Sequence, residues 1–112
     1  MSVRTLKSAS EIDALFKNGR RGNGRLLVIL ASRTPAQRDP GGRVVFIAGK
    51  KLGGAVARNR CKRVLREAVR RAGGAWPGQD LAIIARPGAR CAPPAELDRA
   101  LATALVGAGV TR

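Results

Sequence analysis

The sequence contains no histidine and no tyrosine, and its only aromatic side chains are Phe16, Phe46 and Trp76. Without histidine it lacks the usual general base and the commonest metal ligand. Acidic residues are few: Glu11, Asp13, Asp39, Glu67, Asp80, Glu96 and Asp98 lie scattered along the chain. A protein that cleaves phosphodiesters with metal ions needs clustered carboxylates, and none of these forms a spaced pair. The two cysteines, Cys61 and Cys91, make no C-x-x-C and have no histidine beside them, which argues against a zinc site. Cys61 falls among apolar residues and reads as a small buried hydrophobe. A disulfide between the two stays open, though nothing suggests an oxidising compartment. Gly49-Lys50-Lys51 lacks the preceding glycine and the following Ser or Thr of a phosphate-binding loop. Long apolar runs are missing as well. The six-residue run from Leu26 to Ala31 is too short to span a bilayer or to serve as a secretory core. No catalytic residue and no metal ligand is therefore expected in this chain, and its expected location is the cytoplasm, away from membranes.

What the chain has in excess is positive charge. Twenty-two Lys and Arg against seven Asp and Glu give +15 over 112 residues. A compact domain suffers self-repulsion under such a field unless a polyanion neutralises it. Arginine predominates, and its planar fork suits phosphates and stacks on bases. Nucleic acid is the first candidate partner, while composition alone leaves a generic basic ribosomal or nucleoid protein open. With 45% apolar residues the chain can build a core, and a domain of this size buries roughly 65% of its unfolded surface. One nucleic-acid-binding domain over residues 1–112 is expected.

Ser8-Ala9-Ser10-Glu11 reads as a capping box, with Ile12, Leu15 and Phe16 at helical spacing and Asn18-Gly19 as the stop. Arg20 to Arg25 suggests a short edge strand, Leu26 to Ala31 a strand, and Ser32 to Gly42 a loop. Arg43 to Ala48 is the next strand, and Gly53-Gly54 precedes a long helix from about Ala55 to Ala72. Trp76-Pro77-Gly78 is a turn, Leu81 to Ala85 a strand, and Pro87-Gly88 marks a loop. The last helix opens after Pro93-Pro94, with Leu97, Leu101 and Leu105 four apart, and ends near Gly107. The order α-β-β-β-α-β-α implies a two-layer α+β sandwich.

The long helix carries seven basic residues between Arg58 and Arg71. At about 100° per residue from Arg58, Lys62 falls at about 40°, Arg66 at about 80°, Asn59 at about 100°, Arg70 at about 120° and Arg63 at about 140°. Val64, Ala68, Cys61, Ala72 and Leu65 occupy roughly 240° to 340°, the expected core flank. Like-charge i, i+4 pairs along Arg58, Lys62, Arg66 and Arg70 each cost about 0.2–0.5 kcal/mol in an isolated helix. A merely solvated face would gain by mixing signs. A phosphate-binding face uses the charge directly.

The continuous stretch from Lys50 to Glu67, Lys-Lys-Leu-Gly-Gly-Ala-Val-Ala-Arg-Asn-Arg-Cys-Lys-Arg-Val-Leu-Arg-Glu, resembles the signature of the bacterial ribonuclease P protein family, whose centre is called the RNR motif. Leu15 to Gly19 is similar to that family's first-helix ending, and Asp80 to Arg86 to its last strand. The resemblance implies a left-handed crossover between the parallel strands, in a fold similar to a ribosomal-protein domain, where sequence physics favours the right-handed connection. It implies an accessory subunit of a ribonucleoprotein endoribonuclease, joined about 1:1 to the catalytic ribonuclease P RNA. The holoenzyme would remove the 5′ leader of precursor tRNA, with catalysis and the required Mg²⁺ belonging to the RNA.

Carried over residue by residue, the resemblance assigns Arg58, Asn59, Arg60, Lys62, Arg63 and Arg66 to the catalytic RNA, and the basic stripe adds Arg70. Arg60 lies off the main stripe at about 200°. Ile12 and Phe16, with Lys50, Lys51 and Arg86 on the rim, match a cleft that holds the leader. Positions 12 and 30 are Ile and Leu where aromatics are often found, so stacking should fall more heavily on Phe16. Phe46 reads as a core residue, and Phe16 is open to either role.

Overall fold

The computed structural model describes residues 9–34, 42–74 and 76–110. Helix α1 spans Ala9–Asn18, strand β1 Arg20–Asn23, β2 Leu27–Arg33, β3 Arg43–Ile47, helix α2 Ala55–Arg71, β4 Gln79–Ala85 and α3 Pro94–Gly107. Short 3-10 turns occupy Lys50–Leu52 and Pro87–Arg90. Ser8, the expected N-cap, and Asp39 lie outside the described residues, as do the side chains of Glu11 and Lys50.

The strands form one sheet in the order β1-β2-β4-β3, with β3 and β4 parallel and the other pairings antiparallel. Successive side chains in a strand point to opposite faces, and both faces of β2 and β4 are apolar. On one face Leu27, Ile29, Val44, Phe46, Leu81 and Ile83 meet Cys61, Leu65, Ala68 and Val69 of α2 and Leu97, Leu101 and Ala104 of α3. That is the main core. On the other face Leu30, Val45 and Ala82 meet Leu15 of α1, with Ile12, Ile47 and Ile84 only partly covered beside them. The single helix α1 leaves part of this second face open.

Two glycines explain local geometry. A Cβ on Gly22 would collide with the Ala104 carbonyl oxygen, so α3 rests directly on the backbone of β1. Gly73 takes φ +108 after α2, in the left-handed region that ends helices. The N–H of Gly74 then donates to the Val69 carbonyl at 2.9 Å.

Several boundaries differ from the sequence reading. The strand β2 continues through Ser32 and Arg33 because these pair with Asp80 and Gln79, which in turn begin β4 two residues early. The Pro87-Gly88 loop contains a full 3-10 turn. Trp76, read only as part of a turn, is buried in the main core. Ala72, placed on the core flank of α2, is exposed at its C-cap, while Val69 is fully buried.

Candidate nucleic-acid interface

Helix α2 turns Cys61, Leu65, Ala68 and Val69 into the core. On the wheel that starts at Arg58, Val69 sits at about 20°, so the buried arc reaches the edge of the basic stripe. Arg58 and Lys62 consequently lie at the seam and are half-buried, whereas Asn59, Arg60, Arg63, Arg66 and Arg70 are exposed. The seven expected residues thus share the outer face and one seam of one helix. No acidic residue occupies its first turn, and Arg70 and Arg71 occupy its last, where cations favour the helix dipole.

The cations of α2 are held differently from one another. Arg66 places its guanidinium carbon 5.3 Å from the centroid of the Phe46 ring, a cation–π contact that also positions the fork. Arg71 is engaged in structure: its Nη2 donates to Asp98 Oδ1 at 2.8 Å and its Nε to the same oxygen at 3.0 Å, tying α2 to α3. This hydrogen bond raises the Arg71 pKa further. The two partners stand 27 residues apart in the sequence. Arg58 is the anomaly. Its Nε is shielded from solvent and has no hydrogen-bond partner.

A second candidate surface is the open part of the sheet face beside α1. Ile12 packs against the small cluster there, and Phe16 is 52% exposed beside it. Ile47 and Ile84 are register partners at the open end of the β3–β4 pair. Lys51 follows β3 and Arg86 follows β4, both exposed at that same end. Lys50 begins the same turn. Leu30 is buried beneath α1 and offers no free surface. Phe46 faces the opposite, main core at 7% exposure, as a core residue.

Some basic residues outside the expected set serve the fold. Arg20 Nε donates to the Ala108 carbonyl at 2.9 Å and its Nη2 to Gln79 Oε1 at 2.7 Å. No sequence signal marks this link, because it joins three distant segments. Cys61 is buried and free, and burial pushes its thiol above the ordinary 9.0, against the opposing pull of Arg90 and Arg60. Cys91 is free and exposed. Among the described residues no group of three or more His, Cys, Asp or Glu could hold a metal ion. Asp80 is buried and accepts a hydrogen bond from Thr34 Oγ1 at 3.1 Å, and Asp98 is held by Arg71. Among the described residues no helix is long and apolar enough to cross a membrane.

The protein family described as Ribonuclease P matches residues 2–109. The chain belongs to the ribonuclease P protein family. It is 37% identical over 93 residues to the ribonuclease P protein component of Acidothermus cellulolyticus, covering 82% of this chain and 77% of that one. Against the component from Beutenbergia cavernae it is 36% identical over 110 residues, 97% and 91% of the two chains. Its fold is similar to that of the Staphylococcus aureus RNase P protein, with a TM-score of 0.82 and 25% identity over 99% of this chain and all of that one. Membership makes the chain a subunit of a ribonuclease, in partnership with ribonuclease P RNA. The α+β architecture and the recognition from the Lys50–Glu67 signature are both upheld.

Proposed function

We propose that this ribonuclease P protein docks on the catalytic RNA through the outer face of α2 and holds the single-stranded 5′ leader of precursor tRNA in the cleft beside α1. The observation that carries the first half is Arg58. A buried donor without a partner costs about 1–3 kcal/mol, and a phosphate oxygen arriving at the seam of α2 would relieve it. Asn59, Arg60, Lys62, Arg63, Arg66 and Arg70 extend the contact along the helix, each neutralised phosphate releasing a counterion. In the cleft, half-buried Ile12, Ile47 and Ile84 form an apolar floor and Phe16 a flat exposed ring. Extended RNA uses such surface for its bases and a cationic rim for its phosphates; Lys50, Lys51 and Arg86 supply the rim.

Hydrolysis itself belongs to the RNA in this reading. Among the described residues the carboxylates stand apart or are already engaged and do not fit a magnesium site, so the Mg²⁺ is assigned to the RNA. The protein contributes binding and position. One copy per RNA suffices for a single α2 face, and the work falls in the cytoplasm, where tRNA matures. The test is cleavage of precursor tRNA at low magnesium. Protein alone should leave the substrate intact, and protein with its cognate RNA should release the leader and leave a mature 5′ end. An RNA whose rate is the same with and without the protein would refute the proposal.

A further inference from the structure

A groove with no assigned role opens between the turn that follows β1 and the flank of α3. Its volume is about 620 Å³, and Asn23, Arg25, Arg86, Glu96, Arg99 and Thr103 line it. Three arginines from three distant segments line it, with one glutamate beside them. Among the described residues, none of the three arginines makes a side-chain hydrogen bond or an ion pair. All three are exposed. Like charges free to separate in water would diverge, and gathering them around one concavity raises the local potential for an anion.

Arg86 connects this groove to the cleft. It follows β4 in extended conformation, φ −96 and ψ 160, and its N–H donates to the Leu26 carbonyl at 2.9 Å. Extended backbone keeps the alternation of the strand, so Arg86 continues the row of Ala82 and Ile84 on the cleft face while lining the groove. On α3, Glu96, Arg99 and Thr103 are spaced three and four apart and form one stripe above the groove, beside the buried Leu97, Leu101 and Ala104. The cleft and the groove lie on opposite faces of the sheet, and Arg86, at the end of β4, is the residue common to the two.

We propose that the leader does not end in the cleft but passes Arg86 and enters this groove, where Arg25 and Arg99 hold phosphates of its distal nucleotides and Asn23 and Thr103 offer neutral hydrogen bonds. The occupant is single-stranded RNA. A duplex arm of the catalytic RNA is the competing source of phosphate, and it has no reason to be continuous with the cleft. This inference rests on the cleft reading given above.

The test uses reconstituted holoenzyme and precursor tRNAs whose leaders are shortened from about 18 nucleotides to about 2, a range that brackets the roughly 4–16 nucleotides that basic grooves ordinarily track. The double variant Arg25→Ala/Arg99→Ala should lose the affinity that the wild type gains from distal leader nucleotides. On long leaders its salt slope should fall by about 1.4, at about 0.7 per single-strand phosphate. Thr103→Glu, which places a carboxylate in the groove, should repeat the length-dependent loss without removing an arginine. Binding of the catalytic RNA by either variant should match the wild type. A loss of equal size on short and long leaders, or weaker assembly with the catalytic RNA, would overturn the groove assignment. A wild-type holoenzyme that binds leader-bearing and mature tRNA equally would instead overturn the cleft reading, and this inference with it.

Discussion

Replacing Arg58 by methionine should make the free protein more stable and the holoenzyme weaker. Methionine keeps an unbranched stem of similar helix propensity and removes the shielded Nε that has no partner. An unmade buried hydrogen bond costs about 1–3 kcal/mol, and the half-buried setting of Arg58 argues for the lower end, about 1 kcal/mol. Loss of the like-charge pair with Lys62, one turn on, adds about 0.2–0.5 kcal/mol of the same sign. For a domain of this size the sum raises Tm by roughly 4–6 °C, measurable by thermal unfolding of the protein alone. The opposite effect is expected on RNA. A charge-assisted hydrogen bond contributes about 1.5–3 kcal/mol, so the dissociation constant should rise roughly 10- to 150-fold. The slope of log K against log salt should shrink by about 0.9, one duplex phosphate. Filter binding over a salt series reads both. A variant that melts lower than wild type, or binds the catalytic RNA equally well, would show that the seam of α2 is not strained in waiting for a phosphate.

Gly22→Ala should destabilise the protein by about 1–3 kcal/mol through overpacking, since the new methyl meets the Ala104 carbonyl on rigid backbone; an unchanged Tm would contradict the close seating of α3. Phe16→Ala should leave Tm nearly unchanged, because the ring is 52% exposed, yet weaken leader-dependent binding by the 1–3 kcal/mol or so of one stacked base. Phe46→Ala should instead cost about 3–5 kcal/mol of stability, and equal melting of the two variants would refute the division between them. In native protein one thiol, Cys91, should react promptly with an aromatic disulfide reagent, and Cys61 only on unfolding. Because burial raises the folded pKa of Cys61 above 9.0, its contribution to stability is complete below that value and declines as pH rises through it. Urea midpoints across that window, compared with those of Cys61→Ala, check the sign.

The elements were largely legible in the sequence because apolar periodicity and glycine or proline punctuation coincide at most boundaries. The signature on α2 was legible because its composition is one-sided. What failed was whatever depends on a partner distant in the chain. The wheel centred on Arg58 could not show that Val69 would be drawn into the core, since that depends on how α2 sits against α3 and the sheet. Asp98 looked like a local charge until it met Arg71 across two helices. Turn chemistry around Trp76 was read correctly, but a turn says nothing of where a large side chain goes, and this one enters the core. The polar ends of β2 and β4 were missed because Ser32 and Asp80 support one another only once paired. Of the candidate surfaces, the α2 face is local and was visible. The groove of Arg25, Arg86 and Arg99 comes from three segments and leaves no pattern in any of them.

The position of β4 has a consequence for synthesis. It is the last strand in the chain but lies between β2 and β3, which do not touch in the ladder. Until Gln79–Ala85 leaves the ribosome, both earlier strands present open edges, and neither half of the core has its central row. Closure then requires a segment far along the chain to insert between two that are already made, a slow kind of event because the loop entropy comes due before the contacts form. A nascent chain therefore carries the whole basic helix before it is complete in shape, and a polyanion can meet that helix in the interval.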